Sequence, residues 1–188
     1  MKKNKKILIV VGGGIAAYKT LDLIRILKKK GYSIKTVLTK SGKEFVTSLS
    51  LTTISGDQPY ENLFDANREA KIDHITLSRW ADLIIVVPTT ANFMNKLSTG
   101  KADDLASTLI LASNKDTLLA PAMNVRMWKH QATINNYKLL QSYGYLFIGP
   151  ENGEMACGEY GEGKMSSPDQ IYQEIERYFD NKDLLKSK

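Results

Sequence analysis

Apolar residues along this chain gather in short runs that are separated by longer stretches of mixed character. The runs predict β-strands at 7–11, 34–39, 83–87, 117–120 and 145–148. The third run is apolar at every position and ends at Pro88, a pattern typical of a central strand that is buried on both faces. We therefore expect a sheet in which this third strand is central.

Helical periodicity fills the stretches between these runs. From Ala17 to Leu27 the apolar residues recur at steps of four, three and three, which places them near one helical face, and Gly31 follows as a helix stop. This helix is predicted over 15–30, and further helices are predicted over 43–49, 91–98, 105–113, 131–143 and 168–179. The remaining segments are interpreted as an irregular region over 52–79, a mobile loop over 151–167 and a flexible, frayed tail over 181–188.

Strands that alternate with helices predict a single α/β domain, which we assign to residues 1–180. We expect a doubly wound parallel sheet in a three-layer, Rossmann-like or flavodoxin-like sandwich. Such sheets bind ligands at the carboxyl ends of their strands. The motifs that directly follow strands are therefore the candidates for chemistry.

Composition narrows the classes of function. The chain has 188 residues, of which 43% are hydrophobic, and no stretch approaches the ~18 apolar residues of a membrane span. Its one cysteine, Cys157, allows no intrachain disulfide, which fits a reducing compartment. The net charge of +6 comes largely from lysines near the two ends, and this indicates solvated termini rather than a nucleic-acid surface. We expect a cytoplasmic protein without nucleic-acid or membrane partners, whose mild positive charge suits an anionic small substrate.

Three motifs follow the first three strands. Glycines at 12–14 separate the first strand from its helix, so they indicate either a tight turn or a loop that lets a phosphate reach free backbone N–H groups. Thr39 and Ser41 follow the second strand, and Thr90 and Asn92 follow the third. These side chains are suited either to cap the next helix or to contact a cofactor. Each motif, taken alone, leaves both alternatives open.

Three further motifs contain uncommon residue types. His74 is one of two histidines, and a single histidine is more often a packed or surface residue than a catalyst. The segment 121–128 holds two methionines and a tryptophan that suit a core, together with Asn124, whose amide can bind a carboxylate or an amide ligand. Cys157 lies in the glycine-rich segment 156–165 with no second cysteine as a metal partner, so it is either inert or a reactive thiol, and we expect no metal site.

These six motifs occur together and in this order, and the combination resembles the homo-oligomeric flavin-containing cysteine decarboxylases over about residues 6–178. The segment 121–128 matches the family pattern Pro-x-Met-Asn-x-x-Met-Trp in full, whereas 88–93 reads Pro-Thr-Thr-Ala-Asn-Phe in place of Pro-Ala-Ser-Ala-Asn-Thr. The resemblance implies FMN as the cofactor, bound by Gly13, Gly14, Ile15, Thr39, Ser41, Phe45, Thr90, Ala91, Asn92, Phe93 and Met123. It also implies that the substrate is bound by Asn124, Arg79, Met127, Ala156 and Gly158, and that His74 and Cys157 are catalytic.

Within this family the chain is most similar to the branch that forms 4'-phosphopantetheine, in its stand-alone form. The resemblance implies FMN-dependent decarboxylation of 4'-phosphopantothenoylcysteine in coenzyme A biosynthesis. Asn124 would hold the substrate carboxylate, His74 would assist oxidation of the thiol, and Cys157 would donate a proton. A homotrimer, or a dodecamer built from trimers, is implied in the same way.

Three alternatives remain open at this point. A peptidyl-cysteine decarboxylase of lantibiotic maturation stops at the ene-thiol, and Cys157 argues against it because that reaction needs no further proton donor. A prenyltransferase that forms prenylated flavin is disfavoured by the complete motif at 121–128. A non-catalytic regulator with the flavin fold is disfavoured by the retained catalytic positions.

Overall fold

The computed structural model describes residues 5–63 and 73–186, and within them five parallel strands form the central sheet. In chain order they are β1 (Lys6–Val11), β2 (Ser33–Leu38), β3 (Leu83–Thr89), β4 (Thr117–Pro121) and β5 (Leu146–Phe147). Their spatial order is β2-β1-β3-β4-β5, and every pairing is parallel. The order reverses between β1 and β3, so the sheet is doubly wound as predicted, and β3 is its middle strand.

Helices cover both faces of this sheet. They are α1 (Tyr18–Lys29), α2 (Ser48–Ser55), α3 (Asp73–Trp80), α4 (Ala91–Ser98), α5 (Leu105–Leu111), α6 (Val125–Trp128), α7 (Gln131–Ser142) and α8 (Pro168–Lys186). Single 3-10 turns lie at Ile15–Ala17 and Gly42–Glu44. No helix in the described ranges combines the length and the hydrophobicity that crossing a bilayer requires.

Alternate residues of the strands face two separate hydrophobic cores. In β1, Ile7, Ile9 and Val11 pack against α1 and α8. Leu8 and Val10 point the other way and pack against α3, α4, α5 and α7. All five side chains are fully buried, so β1 has no solvent-facing side. The predicted three-layer sandwich is therefore confirmed, because a strand buried on both faces requires a helical layer on each.

Two predictions between β2 and β3 are wrong. The helix expected over 43–49 is a 3-10 turn, and the helix α2 begins only at Ser48. Thr47 caps α2 in a reciprocal capping box with Ser50. This cap fixes the start of the helix at Ser48, downstream of the start that the spacing of apolar residues predicts. The region 52–79 is not irregular throughout, since α2 continues to Ser55 and α3 begins at Asp73. Residues 64–72 of that region lie outside the described part of the chain.

Two further corrections concern the C-terminal quarter. The segment 151–167 contains an antiparallel hairpin, β6 (Glu151–Glu154) and β7 (Tyr160–Lys164), where a loop was predicted. The glycines of this segment favour a loop over a strand in a sequence-based prediction. In the structure they allow the hairpin to pack closely against the segment after β4. The helix α8 continues to Lys186 instead of ending near 179. The mobility expected for the hairpin segment and for the chain end stays a prediction.

Candidate functional site

A cavity of about 1280 Å³ opens at the carboxyl ends of the strands. Its walls are the turns that follow β1, β2, β3 and β4, at 12–14, 39–41, 90–93 and 122–124, and the hairpin residues 154–157. These turns meet because parallel strands all end at the same edge of the sheet. Most of the motifs identified in the sequence therefore lie together at this edge.

The glycines after β1 allow three turns to approach one another closely. A Cβ atom on Gly12 would lie 2.2 Å from the Pro88 carbonyl oxygen, and one on Gly13 would lie 2.2 Å from the Cβ of Ser41. Neither position tolerates a side chain without backbone movement. The glycines therefore form a turn that packs tightly against its neighbours. The same turn also exposes its backbone to the cavity.

The threonines after β2 and β3 stabilise the walls of the cavity. The Thr39 hydroxyl donates to the Val11 carbonyl at 2.9 Å and accepts from the Gly42 N–H at 3.0 Å, so it fastens the second turn to β1. The Thr90 hydroxyl accepts from the Phe93 N–H at 3.1 Å and caps α4. Both residues also line the cavity, so capping and ligand contact are compatible here.

Asn124 and Cys157 line another part of the cavity and form a polar cluster with Glu159. The Asn124 Oδ1 atom accepts from the Arg126 N–H at 2.8 Å, an N-cap contact at the start of α6. This contact turns the amide Nδ2 toward Cys157, whose Sγ lies 3.6 Å away, and the same Nδ2 donates to the Glu159 carboxylate. The Cys157 Sγ lies 3.9 Å from the Glu159 Oε2 atom.

The hairpin reaches Asn124 because glycines allow it to dock on the segment after β4. The Met123 N–H donates to the Gly163 carbonyl at 3.0 Å. A Cβ on Gly163 would lie 2.3 Å from the Met123 carbonyl oxygen, and one on Gly161 would lie 2.8 Å from Val125 Cγ2. The glycine-rich composition of this segment is therefore explained by close packing, and this packing brings Cys157 into the site.

An ion-paired group lies at another part of the cavity wall. The Lys96 ammonium lies 2.6 Å from Asp103 Oδ1 and 2.7 Å from Asp104 Oδ2. Burial disfavours the charge on Asp104, but Lys96 and the Ser107 N–H outweigh it and hold the pKa of this carboxyl below its ordinary value. Burial likewise opposes the charge on Lys96, while the two carboxylates prevail and raise the pKa of its ammonium.

Four predicted site residues do not line this cavity: His74, Arg79, Phe45 and Gly158. His74 lies on α3, and its Nδ1 atom is buried without a hydrogen-bond partner among the described residues. Arg79, in the last turn of α3, and Phe45 are exposed, and Gly158 forms the hairpin turn next to Cys157 at φ +80°. The other predicted residues all line the cavity, and the binding and catalytic roles of the whole set stay predictions.

Sequence reasoning missed two polar groups of this region, Glu159 beside Cys157 and the cavity-lining group of Lys96, Asp103 and Asp104. Glu159 stands two positions after Cys157, and that proximity was the available signal. Lys96 contacts Asp103 and Asp104, seven and eight positions away, but α4 ends at Ser98, so the contact is made across a turn and not by a helical repeat. Among the described residues, no cluster of histidine, cysteine or acidic side chains is arranged to hold a metal ion.

Comparison with known proteins agrees with this architecture. The coenzyme A biosynthesis bifunctional protein CoaBC of Haemophilus influenzae is 44% identical over 186 residues, which is 98% of this chain and 46% of that protein. The chain therefore spans about half the length of the curated relatives it matches.

Two solved structures are also similar. One is a cysteine-to-serine mutant of PPC decarboxylase complexed with pantothenoylaminoethenethiol, with a TM-score of 0.85, 28% identity, and coverage of 95% of this chain and 100% of that one. The other is the FMN binding protein AtHal3, with a TM-score of 0.80, 29% identity, and coverage of 94% and 97%. The model of the family described as Flavoprotein matches residues 1–180, and this chain is accordingly a member of the Flavoprotein family.

Proposed function

We propose that this chain is an FMN-dependent decarboxylase that converts 4'-phosphopantothenoylcysteine to 4'-phosphopantetheine in coenzyme A biosynthesis. The observation that carries the proposal is the two-sided cavity. Glycine and threonine turns after β1, β2 and β3 form one part of its lining, and Asn124, after β4, and Cys157, on the hairpin, form another. A member of the Flavoprotein family that is similar to PPC decarboxylase and to CoaBC is expected to use such a cavity for flavin and substrate together.

The cavity suits a flavin mononucleotide. Its volume of about 1280 Å³ exceeds the ~300–1,000 Å³ of an ordinary small-molecule pocket, which leaves room for a cofactor and a substrate. The turn at 12–14 carries no side chain that would keep a phosphate from its backbone N–H groups, and Lys19 and Lys40 line the cavity near it. When bound, FMN supplies the two-electron oxidation of the substrate thiol that makes the neighbouring carboxylate able to leave as CO₂.

The fixed amide of Asn124 suits the substrate carboxylate. Because Oδ1 is used as the cap of α6, only the NH₂ group faces the cavity, and an NH₂ group binds acceptors such as carboxylates. Cys157 lies 3.6 Å from that nitrogen, so with a carboxylate bound to the amide its thiol would be near the carbon that loses CO₂ and could protonate it. The hairpin that carries Cys157 would also shield this carbon from water.

We also propose that the active unit is a homotrimer, which can assemble into a dodecamer, in the cytoplasm. Ile15 and Tyr18 are 59% and 53% exposed beside the cavity, and exposed apolar side chains of this size suit a subunit contact. His74 and Arg79 lie off the cavity of their own chain, and a neighbouring copy is one way for them to reach an active site.

The test is to incubate purified protein, reconstituted with FMN, with 4'-phosphopantothenoylcysteine, and to identify the product by mass. We expect a product that has lost CO₂ and has the mass of 4'-phosphopantetheine, not the lower mass of the ene-thiol. Cys157→Ser is expected to retain flavin absorbance but to accumulate the ene-thiol or its oxidation product. A preparation that binds no FMN, or a Cys157→Ser variant that forms 4'-phosphopantetheine at the wild-type rate, would contradict the proposal. A peptide with a C-terminal cysteine, supplied in parallel, separates this function from that of a peptidyl-cysteine decarboxylase.

A further inference from the structure

The proposed substrate carries a phosphate at the end remote from its cysteine, and binding this group needs a cation that the FMN phosphate does not occupy. Within the described part of the chain, the lysines that line the cavity are Lys19, Lys40, Lys96 and Lys164. Lys19 and Lys40 lie near the glycine turn that is proposed to hold the FMN phosphate, and Lys96 is ion-paired with two aspartates. Lys164, at the end of β7, is the cation on the hairpin side of the cavity.

A β-bulge turns Lys164 toward the cavity. The register of the hairpin shifts between residues 151 and 152, so Gly163 is inserted as an extra residue between two paired ones. Side chains alternate between the two faces of a strand, and an extra residue reverses this alternation beyond it. Lys164 therefore shares a face with Gly153 of the paired strand, whereas Glu162 points to the other face and lines a separate depression.

The missing side chain at Gly153 gives Lys164 its path. A Cβ on Gly153 would lie 2.8 Å from the Lys164 Cδ atom and 3.3 Å from its Nζ atom. The Lys164 side chain therefore runs back over Gly153 toward the turn that holds Cys157, and its ammonium lies beside Gly153. Glu151, the cross-strand neighbour of Lys164, accepts instead from the Ser166 hydroxyl at 2.9 Å. Within the described ranges the Lys164 ammonium forms no ion pair.

We propose that Lys164 binds the phosphate of the substrate and determines specificity for the phosphorylated compound, an inference that rests on the proposed function. Gly153 lies four positions before Cys157, so the chain between them spans at most about 14 Å. In 4'-phosphopantothenoylcysteine about eleven bonds join the carbon that loses CO₂ to the phosphorus, a length of roughly 13 Å when extended. A substrate held by its carboxylate at Asn124, with the reacting carbon near Cys157, can therefore place its phosphate at Lys164.

This assignment gives the two phosphates of the complex different lysines. The FMN phosphate lies at the turns after the strands, and the substrate phosphate lies at the hairpin that also carries Cys157. Lysine binds a phosphate as a point charge, so the contribution of Lys164 should be lost with its charge. A substrate without the phosphate gains nothing from Lys164, so the effects of removing the lysine and of removing the phosphate should depend on each other.

The test measures kcat/KM for 4'-phosphopantothenoylcysteine and for pantothenoylcysteine, which lacks the phosphate, in the FMN-reconstituted wild type and in Lys164→Met. Methionine keeps much of the apolar stem over Gly153 but has no charge. With the phosphorylated substrate we expect a loss of roughly 10-fold through KM, the lower end for a hydrogen bond to a charged group because this side chain is exposed. With pantothenoylcysteine we expect no change. The loss should shrink as salt is added, because salt screens exposed charges. If pantothenoylcysteine turns over too slowly to measure, its inhibition constant against the phosphorylated substrate replaces kcat/KM.

Three further variants make the result specific. Lys164→Arg retains the positive charge and should recover most of the preference for the phosphorylated substrate. Lys138→Met removes a lysine from an exposed position on α7 outside the cavity, and it should leave kcat/KM for both substrates unchanged. Gly153→Ala places a Cβ in the path of the Lys164 side chain, so it should lower the same preference although the charge remains.

Several outcomes would overturn the inference. An equal loss with both substrates in Lys164→Met would indicate a structural role, and a wild type that does not prefer the phosphorylated substrate would leave Lys164 nothing to recognise. A weaker affinity for FMN with an unchanged preference would show that Lys164 contacts the cofactor phosphate instead. Failure of the wild-type protein to decarboxylate either substrate would contradict the proposed function, and it is distinguishable because it precedes any comparison of variants.

Discussion

Replacing Gly163 by alanine is expected to undock the hairpin from the segment after β4 and to weaken catalysis more than FMN binding. Gly163 adopts φ +155°, and an added Cβ would lie 2.3 Å from the Met123 carbonyl oxygen. Strain at such a position costs about 1–3 kcal/mol. Loss of the hydrogen bond from the Met123 N–H adds about 0.5–1.5 kcal/mol. Together these terms disfavour the docked hairpin by about 1.5–4.5 kcal/mol, and at about 1.4 kcal/mol per factor of ten this lowers the equilibrium constant for docking by about 10–10³-fold.

The assay is kcat/KM for decarboxylation, with FMN affinity measured in parallel by fluorescence quenching. We expect kcat/KM to fall by about 10²-fold, while FMN affinity falls less, because apart from Met123 the residues proposed to bind the cofactor follow β1, β2 and β3. Gly144→Ala is the control: this residue also has positive φ, at +89°, but a Cβ there meets nothing within 4 Å, and it lies outside the cavity and the hairpin. A wild-type kcat/KM in Gly163→Ala, or an equal loss in both variants, would refute the reasoning that docking of the hairpin completes the site.

Two further substitutions test the polar walls of the cavity. Asn124→Asp keeps the cap of α6, since aspartate caps as well as asparagine, but it replaces the NH₂ donor by a second carboxylate. We expect KM to rise by roughly 10²-fold, because the new carboxylate repels the substrate carboxylate as well as the neighbouring Glu159 carboxylate, and an unchanged KM would show that this amide does not hold the substrate carboxylate. Lys96→Met removes a partner that lowers the pKa of Asp104. A carboxyl with a lowered pKa stabilises the folded state above about pH 4, and this stabilisation is lost as the pH falls through the lowered pKa. Urea unfolding should show a loss of about 1 kcal/mol at neutral pH that shrinks toward about pH 3, and a loss independent of pH would contradict this assignment.

The sheet and most of the cavity could be predicted from the sequence because those features depend on local patterns. The run that became β3 is apolar at every position and fully buried. The turns after the strands converge because parallel strands share one carboxyl edge. The helix proposed over 43–49 failed for an equally local reason, since Thr47 and Ser50 form a capping box that moves the start of α2 downstream.

Other parts of the site depend on tertiary contacts that cannot be predicted from the spacing of residues along the sequence. The hairpin residues at 160–164 contain two glycines, which made a loop the natural interpretation. Their absent side chains are what allow backbone contact with Met123 and Val125. Glu159 was overlooked because its partner Asn124 is 35 positions away. A pair brought together by docking of a hairpin is predictable only once the docking itself is known.

The two walls of the cavity differ in how they are held, and this difference suits a flavin decarboxylase. The wall after β1, β2 and β3 continues from strands buried in two cores, and close approaches between turns fix it further, such as that of Gly12 to Pro88. The opposite wall depends on α6, which has four residues and no buried side chain, and on a two-stranded hairpin. A cofactor that is regenerated in each turnover can remain on the first wall, while substrate and product pass by the second. FMN affinity and substrate turnover should therefore respond to separate sets of substitutions, Gly12 and Gly13 for the one and Gly161 and Gly163 for the other.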